Sequence, residues 1–178
     1  MDNNEFNRRI RYALRLDDAD AVRLIELGGQ WVSPEHVAGF RCKEEEPEYV
    51  ACPDEALLAL LDGLILDRRG PPPERNTTTG GPAAAEKAPA AGDKAAAKVT
   101  DKADKEPAVS NNLVLKQLRI ALALRSDDIY TLMVAGGGKV GKTEVGAFFR
   151  SPDARNYRRC GDQAVRWFLN GLVAQRGQ

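Results

Sequence analysis

Two stretches of this chain hold residue types at spacings that could do chemistry. Gly136-Gly137-Gly138-Lys139-Val140-Gly141-Lys142-Thr143 satisfies G-x-x-x-x-G-K-[ST] letter for letter. In a phosphate-binding loop of that pattern backbone amides cradle the phosphates, here with Lys142 reaching the β/γ oxygens and Thr143 holding magnesium. The second stretch is written twice: Tyr49-x-x-Cys52-x-Asp54 and Tyr157-x-x-Cys160-x-Asp162. A cysteine at a helix N-terminus can have a lowered pKa and act as nucleophile or redox group. No catalytic set completes it, because the sole histidine, His36, is replaced by Glu144 in the second copy. Three cysteines and one histidine at no ligand spacing also argue against a metal site. The structural use is preferred for Tyr49, Cys52, Asp54, Tyr157, Cys160 and Asp162. Cysteine there is a small buried hydrophobe, Asp sits in the first helical turn, and Glu55 or Gln163 stands where a capping box would need it.

Stepping the chain by 108 residues lays Asn3–Gly70 on Asn111–Gln178 without a gap, with 21 identities in 68 positions. That is a duplicated unit. It also disposes of the phosphate loop. The aligned stretch of the first copy, Gly28 to Glu35, occupies the same place with no such pattern. The run before the glycines follows Ser126-Asp127-Asp128, a helix cap, and reads as helix rather than strand. Only 35 residues follow Thr143, too few for the parallel strands the fold requires.

Each copy reads as four helices. Phe6, Ile10, Ala13 and Leu14 form the apolar stripe of the first, with Arg8, Arg9, Arg11 and Arg15 mainly off it and Asn3-Asn4 as caps. Val114, Leu118, Ala121 and Leu122 repeat the stripe. Asp17-Asp18 and Ser126-Asp127 cap the second helix, and Gly28-Gly29 or Gly136-Gly137 ends it. Ser33-Pro34-Glu35 starts the third. The fourth begins near Cys52-Pro53-Asp54, with Leu57, Leu60, Leu61 and Leu64 matched by Val165, Phe168, Leu169 and Leu172. Gly63 and Gly171 interrupt that stripe, which marks close helix–helix approach. Paired Arg11 and Arg119 are expected to answer Asp20 and Asp128, or Asp54 and Asp162. The second and third helices permit a helix-turn-helix comparison, although Ser33–Phe40 is short and acidic.

The expected fold is therefore all-α: two pseudo-symmetric repeats of about four helices each, packed together. They span residues 1–70 and 111–178. Residues 71–110, rich in Pro, Ala and Lys and poor in large apolar residues, read as a disordered linker with a root-mean-square span of about 35 Å. No apolar run approaches the length of a membrane span, and no signal peptide is legible. An odd number of cysteines fits a reducing, cytoplasmic setting.

The zero net charge hides a split. Residues 1–70 hold nine basic and fifteen acidic residues, and residues 111–178 hold eleven and five. Intramolecular docking of the acidic repeat on the basic one is the preferred use of that split. The sharper one is an anionic partner for the basic half. Its best candidates are Arg155, Arg158 and Arg159, which crowd the start of the last helix and could contact phosphate or nucleic acid.

The Asn-Asn pairs, Arg11-Tyr12-Ala13-Leu14, Pro47-x-Tyr49-x-x-Cys52-x-Asp54, Gly63-Leu64 and Asn156-Tyr157-x-x-Cys160-Gly161-Asp162-Gln163 resemble the YehS family of uncharacterised bacterial proteins (domain of unknown function 1456). The resemblance covers both repeats. It implies a small cytoplasmic protein of two such units and carries no activity with it. One departure is Val140-Gly141-Lys142-Thr143, where the family pattern reads Val-Ser. The expected function is a non-catalytic binding or regulatory module with a macromolecular partner, a protein ahead of nucleic acid. The alternative is nucleic-acid or phosphate binding through the basic repeat, and a P-loop NTPase is the remote one. No cofactor or metal is expected.

Overall fold

Helix starts recur at the same 108-residue offset as the residues that set them. The computed structural model describes residues 1–70 and 109–176. The first unit holds α1 (Asn3–Leu14), α2 (Asp18–Leu27), α3 (Pro34–Gly39) and α4 (Asp54–Arg69). The second holds α5 (Asn111–Ala121), α6 (Ser126–Ala135), α7 (Lys142–Phe148) and α8 (Asp162–Arg176). There is no strand among the described residues, so the all-α, two-repeat reading holds. The disordered-linker expectation falls on residues outside those described, apart from its last two. Val109 is buried and Ser110 caps α5, so both belong with the second unit.

Local signals place the ends, with some shifts from expectation. Asp2 and Ser110, one residue before the Asn pairs, cap α1 and α5 by accepting from the Glu5 and Leu113 amides at 2.6 and 3.2 Å. The Asn side chains lie inside the first turn and are used elsewhere. Asp17 and Asp20 close a full capping box on α2. On α6 the cap is Arg125 rather than Ser126-Asp127. Only half of the box survives there, Asp128 accepting from the Arg125 amide at 2.7 Å. Ser33 caps α3 with Pro34 behind it. Pro53 is the residue before α4 and offers no side-chain cap, which removes Glu55 from the capping-box position.

Within each unit the second and fourth helices pack, and glycine sets how closely. A Cβ on Gly63 of α4 would sit 1.8 Å from the Leu24 carbonyl oxygen, and one on Gly28 would sit 2.1 Å from that of Ala59. Gly171 against Leu132 (1.9 Å) and Gly136 against Trp167 (1.9 Å) repeat the arrangement. The backbones touch because these positions carry no side chain.

The first helix of each unit goes across. α1 packs on α8, and α5 packs on α4. One continuous apolar core results, including Phe6, Ile10, Leu57, Leu61, Leu115, Leu118, Phe168 and Leu169. Where the units meet, Arg166 grips Glu5 with two hydrogen bonds at 2.9 and 3.0 Å, and Gln117 donates to Asp62 at 2.7 Å.

Candidate functional site

The repeated cysteine motif proves to be one half of a clamp whose other half is the Asn-Asn pair. The Asn4 amide nitrogen donates to the Val50 and Phe40 carbonyls at 2.7 and 3.3 Å, while its oxygen accepts from the Cys52 amide at 2.8 Å. Asn3 donates to the Cys52 carbonyl at 3.1 Å and to the Asp54 carboxylate at 2.6 Å. Asn112 and Asn111 do the same to Phe148, Arg158, Cys160 and Asp162, at 2.7–3.0 Å. Asp162 additionally meets the Met1 amino group. Two amide side chains thus satisfy the backbone groups freed where the chain leaves the third helix and enters the fourth. Tyr49 and Tyr157 sit half-buried where that connection turns, their amides bonded to the Glu46 and Ala154 carbonyls.

The two thiols point the wrong way for nucleophilic work. Burial, then the nearby Asp54 carboxylate, pushes Cys52 up to about 12, and burial with Asp162 and Glu144 does the same to Cys160. A reactive thiol needs the opposite shift.

The phosphate-loop lookalike is a turn between two helices. The residues before it form α6, not a strand. Gly136 ends that helix and Gly137 adopts φ +89°. Lys142 pairs with Asp127 at 3.1 Å and lies 5.4 Å from the Tyr130 ring centre, so the residue meant for phosphate is already engaged. The same pairing occupies the one basic residue of the seven-residue α7, the helix that would read bases in a helix-turn-helix.

Arg155, Arg158 and Arg159 all lie exposed on the α7–α8 connection. Arg158 reaches Glu144 of its own unit at 3.4 Å, and its backbone belongs to the clamp. The corresponding connection of the first unit carries Glu44, Glu45, Glu46 and Glu48, also exposed. Much of the charge split therefore sits in two outward connections. The expected Arg–Asp pairs form otherwise. Arg11 pairs with Asp18 rather than Asp20 or Asp54, and donates to the Val37 carbonyl at 3.2 Å. Arg119 donates to the Leu124 carbonyl at 3.3 Å and lies 4.7 Å from the Phe149 ring centre, since Ser126 replaces Asp18 in the second copy.

Comparison with known proteins meets the same duplication. The model of a family described as "Protein of unknown function (DUF1456)" matches residues 3–70 and again 111–177. The chain belongs to this family. It is 35% identical over 176 residues to the uncharacterized protein YehS of Escherichia coli (strain K12), spanning 99% of this chain and 97% of that one. No solved structure matches.

The DUF1456 unit, as this chain builds it, is thus four helices with its two asparagines locked onto its Tyr-x-x-Cys-x-Asp connection. Sequence reasoning found both parts and did not join them. The available signal was their common spacing, 49 residues from Asn3 to Cys52 and again from Asn111 to Cys160. It placed Arg8, Arg9, Arg11 and Arg15 off the apolar stripe without seeing what they meet. An open groove of about 460 Å³ beside α1 is lined by Arg8, Arg11, Arg15 and Arg41, with Tyr12 and Val173. The matching groove of the second unit, about 720 Å³, is lined by Arg69, Lys116, Arg119 and Arg150. No helix of the described residues is long and apolar enough to cross a membrane.

Proposed function

We propose that this chain is a non-catalytic binding or regulatory module whose partner is a macromolecule with an anionic surface. One observation carries the reading. The residues most capable of chemistry are consumed in holding the connections, whereas Arg15, Arg41, Lys116 and Arg150 at the grooves and Arg155, Arg158 and Arg159 on one connection stay exposed. Exposed charge of one sign steers a partner of the other sign onto the surface. Three free thiols, two of them buried, agree with a cytoplasmic setting.

A second reading narrows the contact to Arg155, Arg158 and Arg159. It rests on Arg158 being the one of the three with a carboxylate partner, Glu144, among the described residues. A titration decides between them. Labelled duplex DNA, single-stranded DNA and polyglutamate are added to the purified chain between about 50 and 200 mM salt. Binding of any of them that weakens with salt supports the module reading, and binding of none sinks it. Loss of that binding in R155E/R158E/R159E favours the connection as the contact. Magnesium and ATP are expected to leave the melting temperature unchanged, and a dose-dependent rise would overturn the non-catalytic assignment.

A further inference from the structure

The groove beside α1 has a composition that net charge conceals. The first unit is acidic overall, yet five of its nine basic residues are Arg8, Arg9, Arg11, Arg15 and Arg41. Residues 8, 12 and 15 share one face of a helix, being three and four apart. Tyr12 stands out from that face at 73% exposure, between Arg8 and Arg15. On one side of it lies the groove closed by Arg41. On the other a second hollow of about 300 Å³ runs past Arg9 to Asn170, sharing Arg8, Tyr12 and Val173 with the first. The two form one trough, with an aromatic ring at its middle and no carboxylate in its lining.

The counter-charges nearby are already shared. Asp18 serves Arg11 and also Arg41, the latter at 3.5 Å. Glu5 serves Arg9 while bound by Arg166. Arg8 and Arg15 have no carboxylate partner among the described residues. The corresponding groove holds Lys116, Arg119 and Arg150 of the second unit with Arg69 of the first, Lys116 standing at the place of Arg8 and Ile120 at that of Tyr12. Of the first trough's five arginines only Arg8 and Arg11 have basic counterparts there, Lys116 and Arg119.

We infer that the trough along α1 binds a single-stranded polynucleotide, its phosphates on Arg8, Arg15 and Arg41 and an unpaired base on Tyr12. This rests on the module reading above and names the partner's chemistry. The aromatic ring decides between anionic partners. Guanidinium groups alone would accept an acidic peptide equally well, whereas an exposed ring flanked by them also offers a stacking platform that an unpaired base beside each phosphate can use. A duplex hides its bases in the stack and cannot offer one. The groove of Lys116 and Arg150 gives the same strand a second set of phosphate contacts without a stacking ring.

The test is fluorescence anisotropy on the full chain with short labelled single-stranded DNA, single-stranded RNA, duplex DNA and polyglutamate across a salt series. A melting curve for each variant checks its fold. Single strands are expected to bind more tightly than duplex. R8Q/R15Q should lower the steepness of log affinity against log salt by about 1.4, two phosphate contacts at about 0.7 each. Y12A should weaken single-strand binding roughly 5- to 100-fold with the salt slope unchanged. Binding that both variants leave intact overturns the inference, as does loss confined to R155E/R158E/R159E. Equal affinity for duplex overturns the single-strand assignment. Polyglutamate bound while no oligonucleotide binds overturns the inference but leaves the module reading standing, and binding of neither ends both.

Discussion

Asn7 is fully buried on α1, where its amide meets no nitrogen or oxygen partner and has only the Cys52 thiol beside it. The other unit puts Leu115 at the same place, also fully buried. A buried unpaired amide costs about 1–3 kcal/mol in lost hydration, while a leucine of larger volume returns part of any gain as packing strain. N7L is therefore expected to stabilise the chain by about 1 kcal/mol. That would appear as a higher urea midpoint at unchanged slope. A lower midpoint would mean that the Cys52 thiol is a working partner of Asn7. The contrast with Asn3 and Asn4 is instructive, since three asparagines within five residues have separate fates. Nothing in local sequence distinguishes them. The partners of Asn3 and Asn4 lie some 36–51 residues away and, the Asp54 carboxylate apart, are backbone groups, which leave no trace in residue type. The clamp therefore left only its repeated 49-residue spacing in the sequence, although each of its ends was conspicuous.

At the scale of elements, glycine separates two kinds of position that sequence writes with one letter. Gly63 and Gly171 interrupt apolar stripes, and that interruption was readable as close approach, which the carbonyls of Leu24 and Leu132 bear out. Gly146 lies inside α7 with nothing within 4 Å of where a Cβ would stand, and the first unit has Ala38 there. Gly63→Ala must push α2 from α4 against a backbone atom and should cost about 1–3 kcal/mol. Gly146→Ala adds a better helix former without contact and should gain about 0.5–1 kcal/mol. Both are read from thermal or urea unfolding, and two changes of the same sign would refute the distinction. The helices themselves were legible because their caps, stripes and terminal glycines are local. The grooves were not. The lining of the first comes from α1, from Arg41 just past α3 and from the far end of α8, three places that only packing brings together.

The whole molecule is held by an exchange that duplication alone does not announce. A repeat offset shows that two units are alike, but not that α1 lies on α8 and α5 on α4. The exchange has one asymmetric lock. Glu5, with Leu113 in its place in the second unit, accepts from Arg166 and from Arg9, and these partners, Arg166 foremost, hold its carboxyl below the ordinary 4.5. Because the folded value is depressed, the stability it contributes is full above the unfolded value and is lost as pH falls through the folded one. E5Q should lower stability at neutral pH and flatten its decline with acid below about pH 4.5. A parallel decline in both proteins would remove the lock. The exchange itself makes the stronger prediction. Residues 1–70 alone would leave the α4 face that α5 covers open to water and deprive α1 of α8. A chain of that length has little core to spare. By circular dichroism and size-exclusion chromatography it should be unfolded, or else paired with a second copy that supplies the missing contact. The two are told apart by whether helicity rises with concentration. A folded monomer with cooperative unfolding would show that each unit owns its core, and the crossing of α1 and α5 would then be packing rather than the basis of the fold.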